Sequence, residues 1–513
     1  MDRMEEDIQI MWRLRNWAIL CLALAILISL QAIDSEAMTA FSRKYQTSCI
    51  TCHTVAPRLN GVGESYRING YRFANDEMYR KQDPLELGNE AYKRLWPNTV
   101  WPGSIPSMPP ISFVTKWIME YNHDPVVNPL TLDQQGEFVF ILPHELELAW
   151  AGPIGDHISG YGDMIFFQDD FGSSDVTAWL AIKARVEFQD LFGPENMFNL
   201  SIGSVGVHSI GLYTARTEQA LSIQTYSMYS WSMPTPKEYQ NVYLFGIDIQ
   251  SFSGNKFNVQ AQTGAELHGF GKNWLYYAGV VNGNIKNPLY EEPHDTLYVF
   301  GQGTNSDFKD YYAGFAYKFG GIPLDGSNLE GREKLPSSTS EFWRDDSLTV
   351  SLFGYLGNWI ISQSVWADDP TTIPDEYDIV QTDDRFYRLA MGALWRHKDL
   401  TLNCGYMFGR NENPYGLLDP REIDSHAWFV EGHYFFYPWL VPYARFDSLR
   451  FSNFPTDTLV LWEEQGSDIV TLGIKALLRA NISLQTEFTK YTHDGAYDYP
   501  LDESLFFMLV TSF

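Results

Sequence analysis

From about residue 111 to the C-terminus, apolar and polar side chains alternate with period 2 in run after run, a pattern that admits few folds. Leu180, Ile182, Ala184, Val186 and Phe188 alternate with Ala181, Lys183, Arg185 and Glu187. Val470, Leu472, Ile474, Ala476 and Leu478 alternate with Thr471, Gly473 and Lys475; Ile482, Leu484, Thr486 and Phe488 alternate with Ser483, Gln485 and Glu487. Successive residues of a strand point to opposite faces, so each run offers one face to an apolar surround and one to water. If the apolar face meets lipid, every backbone amide must be paired within the protein, which requires a closed sheet. The chain ends on Leu505, Phe507, Leu509, Thr511 and Phe513, one more strand face finishing in an aromatic.

Strands are expected near 111–121, 140–151, 156–167, 177–189, 196–206, 261–269, 273–282, 309–319, 346–356, 384–396, 399–409, 426–437, 439–449, 466–478, 481–491 and 502–513, sixteen in all. Tight connections at 153–156, 271–272, 397–399, 437–439 and 479–481 alternate with long polar ones, the rhythm of short periplasmic turns and long outer loops. Two connections depart from it. The one at about 320 to 345 is long on the short-turn side, and 207 to 260 is too long for a plain loop, so it is expected to fold inward as a constriction or to hold an extra strand pair. The recurring pairing of lipid-type with lumen-type faces argues against a soluble β-sandwich. The expected fold class is mainly β: a 16-stranded transmembrane antiparallel β-barrel in a bacterial outer membrane, with a small N-terminal α-helical domain. By parity Cys404 falls outward with Leu402, Tyr406 and Phe408, an inert lipid-facing thiol.

Residues 18 to 30 form a 13-residue apolar run preceded by Arg13 and Arg15. That is short for a spanning helix of ~20 residues and ordinary for the core of a signal peptide. Ser35-Glu36-Ala37 offers small residues for cleavage after Ala37, giving a signal peptide over 1–37, a small domain over 38–110 and the barrel over 111–513. A formal net charge of -28, with no basic patch, excludes nucleic acid as a partner.

The small domain carries Cys49-Ile50-Thr51-Cys52-His53. Two cysteines at this spacing add across the two vinyl groups of a haem, and the following histidine is placed to ligate its iron. A thioredoxin-like dithiol would want a βαβ surround, and a zinc site a second pair of ligands. Only Cys21, in the leader, and Cys404 remain in the chain. One haem c is therefore expected, attached through Cys49 and Cys52 with His53 as an axial ligand.

For the other axial position Met38, Met78 and Met108 are candidates, and Met108 is the expected one because prolines stiffen its loop, Ile105-Pro106-Ser107-Met108-Pro109-Pro110. The spacing of Leu59, Val62 and Tyr66 predicts a short helix laid on the porphyrin and closed by Gly70; a second helix is expected from Pro84 to Leu95. Inserted in the lumen, such a domain would block leakage and bring its iron closer to the outer face. The lumen-type residues Lys183, Arg185, Glu187, Arg445, Asp447, Lys475 and Glu487 are candidates to pair with it or with haem propionates.

Phe41-Ser42-Arg43-Lys44-Tyr45 ahead of the motif, Leu59-Asn60 and Asn69-Gly70-Tyr71-Arg72-Phe73 after it, the single C-x-x-C-H and the C-terminal barrel together resemble the outer-membrane cytochrome–porin fusions of the iron-oxidising type. The resemblance covers the mature chain in architecture, while its specific motifs lie within 41 to 110. It implies a monohaem cytochrome that passes electrons from extracellular Fe(II), or another external redox substrate, to periplasmic c-type cytochromes or other carriers, acting as an Fe(II)-oxidising electron-transfer protein. Three functional classes stay open from the sequence: an electron conduit running in either direction, a solute porin with a haem domain that gates or senses, and a haem enzyme with an open distal site.

Overall fold

The alternating runs fold as sixteen antiparallel strands that close on themselves. The computed structural model describes residues 40–47, 49–55, 58–74, 76–79, 81, 83, 85–87, 103–105, 110–123, 137–155, 157–169, 177–205, 221–222, 230–232, 243–244, 247–248, 256–258, 262–282, 309–327, 344–365, 378–414, 422–453, 466–479, 481–494 and 503–512. The N-terminal part holds helices α1 (Ala40–Tyr45), α2 (Gly61–Ile68) and α3 (Asp76–Tyr79) and the short strands β1 (His53–Val55), β2 (Arg58–Leu59), β3 (Leu85–Leu87) and β4 (Gly103–Ile105). The barrel begins with β5 (Ile111–His123), β6 (Glu137–Pro153), β7 (Ile158–Asp169), β8 (Thr177–Phe188) and β9 (Asn199–Val205). Four short strands follow outside it: β10 (Ser230–Ser232), β11 (Tyr243–Leu244), β12 (Ile247–Asp248) and β13 (Lys256–Asn258). The barrel resumes with β14 (Gln262–Phe270), β15 (Trp274–Val281), β16 (Asp310–Gly320), β17 (Ser347–Val365), β18 (Asp378–His397) and β19 (Leu400–Asn411). It is completed by β20 (Ile423–Tyr434), β21 (Leu440–Ser452), β22 (Gly466–Arg479), β23 (Ile482–Asp494) and β24 (Glu503–Ser512), which pairs with β5.

The two faces are as the alternation predicts. Along β19, Leu402, Cys404 and Tyr406 are exposed while Thr401, Asn403 and Met407 are buried. The exposed outer surface is apolar over its height, with Phe140, Leu352, Leu356, Leu389, Met391, Leu472 and Ile474 all at least half exposed. At the short-turn end it gains Phe192, Phe319, Trp395, Phe436, Tyr437 and Trp439. An apolar band edged by aromatics is what lipid and its interface require, and this is an outer-membrane barrel. Inside, Thr349, Arg388, Asp447, Thr471, Glu487 and Thr489 have no exposure at all, so the inner wall is covered and not bare to water.

All sixteen expected strands are present. β17 and β18 run past the expected ends at 356 and 384, pairing out to Val365 and Asp378. Beyond the lipid nothing enforces two-faced alternation, so the hydropathy signal stops before the pairing does. The long segment between β9 and β14 shows both features expected of it. It pairs β10 with β13 and β11 with β12, and it folds inward: Leu221 packs on Phe435, Val441 and Tyr443, while Ser222 donates to Glu487 at 2.8 Å.

The helix expected from Pro84 to Leu95 is corrected in its first turn, where Leu85-Glu86-Leu87 is a strand paired with Gly103–Ile105. Two leucines flanking a glutamate satisfy a period of 2 as well as the start of a helix, and the available partner strand decides between them. Residues 88–95 lie outside the described set.

Candidate functional site

The N-terminal part sits in the barrel as a plug, built on an aromatic core. Phe41, Tyr45, Tyr66, Tyr71, Phe73 and Tyr79 cluster with Val62 and Cys52, with rings 4.8 Å apart between Tyr45 and Phe73 and between Tyr66 and Phe73. The cluster extends into the wall, where Tyr71 stacks on Tyr161 of β7 at 5.9 Å. Of Leu59, Val62 and Tyr66, expected on one helix, Leu59 falls in β2 ahead of it, while Val62 and Tyr66 lie on α2 in the aromatic cluster that Cys52 packs against. Gly70 closes that helix as expected: its φ of +66° belongs to the left-handed region, and Tyr71 N–H donates back to the Tyr66 carbonyl at 3.0 Å.

Cys49, Ile50 and Thr51 form one tight turn, in which Cys52 N–H donates to the Cys49 carbonyl at 3.2 Å. His53 follows in β1, registered on Leu59 of β2. Asn60 ties this turn to α2. Its side-chain oxygen accepts from Gly63 N–H at 3.0 Å, capping the helix, while its amide donates to the carbonyls of Ile50 at 3.2 Å and Thr51 at 3.0 Å. Its own N–H donates to the Cys52 carbonyl at 2.9 Å. A side chain at Gly63 would put its Cβ 2.0 Å from that same carbonyl oxygen, so only glycine permits the approach.

The turn is presented at the barrel's lip. Cys49, Ile50 and His53 face Leu477, Asn481, Ile482 and Ser483 across a cleft, and these four residues flank the short turn between β22 and β23. The motif therefore lies at the short-turn, periplasmic rim, the end at which a domain attached to the start of the barrel is expected to begin. One contact that holds the N-terminal part there is Ala40 N–H of α1 donating to Ser112 Oγ, near the start of β5, at 2.9 Å.

Buried ion pairs fix the opposite side of the plug to the wall. Arg58 of β2 pairs with Glu431 of β20, and Glu64 of α2 pairs with Arg396 of β18 at 2.6 Å and with Lys318 of β16 at 3.6 Å. Lys318 also reaches Asp345 at 3.0 Å, so two cations and two carboxylates share one closed network. Burial raises the Glu64 carboxyl, but Arg396 and Lys318 outweigh it and hold the group below its ordinary value. Asp345 belongs to the long connection between β16 and β17, the one on the short-turn side that breaks the length rule. In the same connection Ile322 packs on the aromatic cluster and the Leu324 carbonyl accepts from Asn69 at 3.3 Å. That connection is long because it cradles the plug.

Of the lumen candidates, Arg185 bonds to the plug, donating to Tyr71 Oη at 2.8 Å. Arg445 pairs with Asp447 at 2.5 Å, and Glu487 accepts from Ser222 and Tyr443. Arg58, Glu64, Lys318, Asp345, Arg396 and Glu431 were not foreseen. Inward parity at the short-turn ends of β16, β18 and β20 was the available signal for the wall residues. Met38 and Met108 lie outside the described residues; Met78 falls in α3.

The residues present suit a c-type haem in three respects. Cys49 and Cys52 are not joined in a disulfide, Cys49 and His53 line a cleft while Cys52 beside them packs against the aromatic cluster, and that cleft has apolar walls in Ile50, Leu477 and Ile482. A redox dithiol fits less well: burial, with the neighbouring Cys49, pushes the Cys52 thiol up to about 12, whereas disulfide chemistry needs a thiolate.

No family model and no curated protein matches the chain. Among solved structures it is similar to OmpT, an outer membrane protein of Vibrio cholerae, at 11% identity over 79% of this chain and 99% of that chain with a TM-score of 0.40. The outer membrane channel DcaP of Acinetobacter baumannii is 10% identical over 79% of this chain and 96% of that chain, with a TM-score of 0.43. Salmonella typhi OmpF, in complex with daunomycin, is 9% identical over 79% and 97%, with a TM-score of 0.41.

Proposed function

We propose that this outer-membrane barrel is an electron conduit: a cytochrome–porin fusion whose plug holds a single c-type haem and passes electrons between the outer side, with Fe(II) as the donor, and periplasmic carriers. One observation carries the reading, the presentation of Cys49, Ile50 and His53 across an apolar cleft at the periplasmic rim. Cys49 and Cys52 would hold the group covalently, His53 would ligate its iron, and Met108 is the proposed second axial ligand. When bound, haem supplies one-electron exchange between Fe(II) and Fe(III) states.

The rest is done by the protein. Asn60 and Gly63 hold the attachment turn against α2, which fixes the direction in which His53 faces. The Arg58–Glu431 and Glu64–Arg396 pairs hold the plug against the barrel wall. A position at the periplasmic rim suits exchange with soluble carriers.

The test uses the purified full-length protein under anaerobic conditions. Fe(II) is expected to reduce one covalently bound haem per chain and develop its ferrous absorption bands. Absence of covalent haem in protein made alongside a working cytochrome c maturation system would remove the basis of the proposal. Ion conductance through the intact protein would favour a solute porin in its place.

A further inference from the structure

Two residues of the long segment between β9 and β14 stand beside the motif cleft, although that segment starts from the other side of the membrane. Asn199, first in β9, and Phe270, last in β14, are at the short-turn side, so Val205 and Gln262, where the segment leaves and rejoins the barrel, are at the outer side. Its Leu221 nevertheless packs on Phe435 and Val441, which flank the short turn between β20 and β21. Leu221 and Ser222 thus reach the periplasmic end of the wall.

Strand β23 relates this point to the motif. Ser483 lines the cleft that Cys49 and His53 face, and the next buried, inward residues of the strand are Gln485 and Glu487. Successive inward positions of a strand are about 7 Å apart, so Gln485 is one step farther into the lumen than the cleft. Gln485 Nε2 donates to the Leu221 carbonyl at 2.8 Å, and Ser222 Oγ donates to Glu487 Oε1 at 2.8 Å. Tyr443 of β21 completes the seat: its Oη accepts from Gln485 Nε2 at 2.7 Å and donates to the Glu487 carboxylate. Leu221, Ser222, Tyr443, Gln485 and Glu487 are at most 6% exposed. A carbonyl and a hydroxyl carried into a closed interior cost free energy unless they are paired there, and Gln485 and Glu487 supply the partners. The place of Leu221 and Ser222 is therefore specified by polar bonds as well as by apolar packing. The plug's own latches are on other strands, β16, β18 and β20.

We infer that Leu221 and Ser222, held by Gln485, Glu487 and Tyr443, form the roof of the motif cleft, closing it toward the lumen and leaving its approach at the periplasmic rim. The consequence for electron transfer rests on the proposal that Cys49 and Cys52 carry haem. An external donor then does not touch the iron. Fe(II) on the outer side of the roof loses one electron, the ferric haem below gains it, and the donor stays outside. One-electron donors are accepted from that side, and reactions that need a bond to the haem iron are excluded.

The test measures access to Cys49 in the full-length protein with both motif thiols reduced, inserted in one orientation in liposomes. A charged, membrane-impermeant methanethiosulfonate is added to one side at a time, and the modified cysteine is identified by peptide mass. Wild-type Cys49 is expected to react from the periplasmic side and about tenfold or more slowly from the outer side, where reaction waits on local opening. The double variant Leu221→Gly/Ser222→Ala is expected to abolish that difference and Glu487→Gln to reduce it, while Ser222→Thr, which keeps the hydroxyl, is expected to preserve it. Heat-modifiable migration in electrophoresis checks that each barrel has folded. Equal rates from the two sides in the wild type, or a difference that the double variant and Glu487→Gln both keep in full, overturns the roof. Absence of covalent haem in protein made alongside a working maturation system overturns the haem proposal instead and leaves the labelling result standing, so the two failures are told apart.

Discussion

Arg58 and Glu431, 373 residues apart in the chain, form an ion pair in which both side chains are at most 1% exposed. One belongs to the plug and the other to β20. A buried pair of this kind adds little over two well-packed apolar residues, but removing one partner leaves a lone buried charge and costs about 3–5 kcal/mol. Arg58→Met is therefore expected to unseat the plug, read as new conductance in planar bilayers and as protease cleavage within residues 40–87, while the barrel keeps its resistance to heat in detergent. The double variant Arg58→Met/Glu431→Leu is expected to recover a closed pore. Equal conductance in single and double variants would contradict a latch made by this pair.

Acid should release the same seat. Glu64 and Asp345 are both held below their ordinary values of 4.5 and 3.8, burial raising them but Arg396 and Lys318 outweighing it. A carboxyl whose folded value is depressed contributes stability at pH above its unfolded value and loses it as pH falls through the folded one. The plug is thus expected to stay seated at neutral pH and to loosen only as the pH falls below these ordinary values. Glu64→Gln, which imitates the protonated group, should raise conductance at neutral pH and flatten its dependence on acid.

The attachment turn is expected to depend on Asn60 and Gly63. Asn60→Ala removes a helix cap, worth about 0.5–2 kcal/mol, and also frees the Ile50 and Thr51 carbonyls. Asn60→Asp keeps the capping acceptor and loses only the two donors, so it should fall between Ala and wild type in the melting temperature of the plug. Gly63→Ala should be worst of the three, because its Cβ would meet the Cys52 carbonyl oxygen at 2.0 Å. Haem staining after denaturing electrophoresis and differential scanning calorimetry would check the order.

Much of the barrel was legible because lipid on one side and a polar interior on the other impose a strict parity; even Cys404 could be assigned its face. Where that constraint ends, prediction weakens. The outer extensions of β17 and β18 are fixed by mutual pairing, which a hydropathy pattern does not record. Cys49, Cys52 and His53 stood out because covalent chemistry demands those residues at that spacing. Glu64 and Arg58 did not, since a charge in a short helix or strand has the same appearance whether it meets water or a buried partner hundreds of residues away. The Asn60 cap was readable in principle, as an asparagine directly before a helix, but its second duty toward the Ile50 and Thr51 carbonyls depends on the folded turn.

The stoichiometry and ligation of haem give a further check. Cys52→Ala is expected to abolish covalent haem and Cys404→Ser to leave it unchanged, because the latter thiol faces lipid. Met108→Ala is expected to remove the Fe–S charge-transfer band and open the iron to carbon monoxide. Two haems per chain by pyridine haemochrome assay, or an unchanged spectrum in the Met108 variant, would contradict these assignments.

The most direct measurement of electron passage places the protein, in one orientation, in liposomes that hold oxidised cytochrome c inside and receive Fe(II) outside. With the intact protein the internal cytochrome is expected to become reduced, and with His53→Ala the reduction is expected to stop although the plug remains seated. Reduction that proceeds equally through the haemless barrel would mean that iron simply leaks inward, and the conduit would be contradicted.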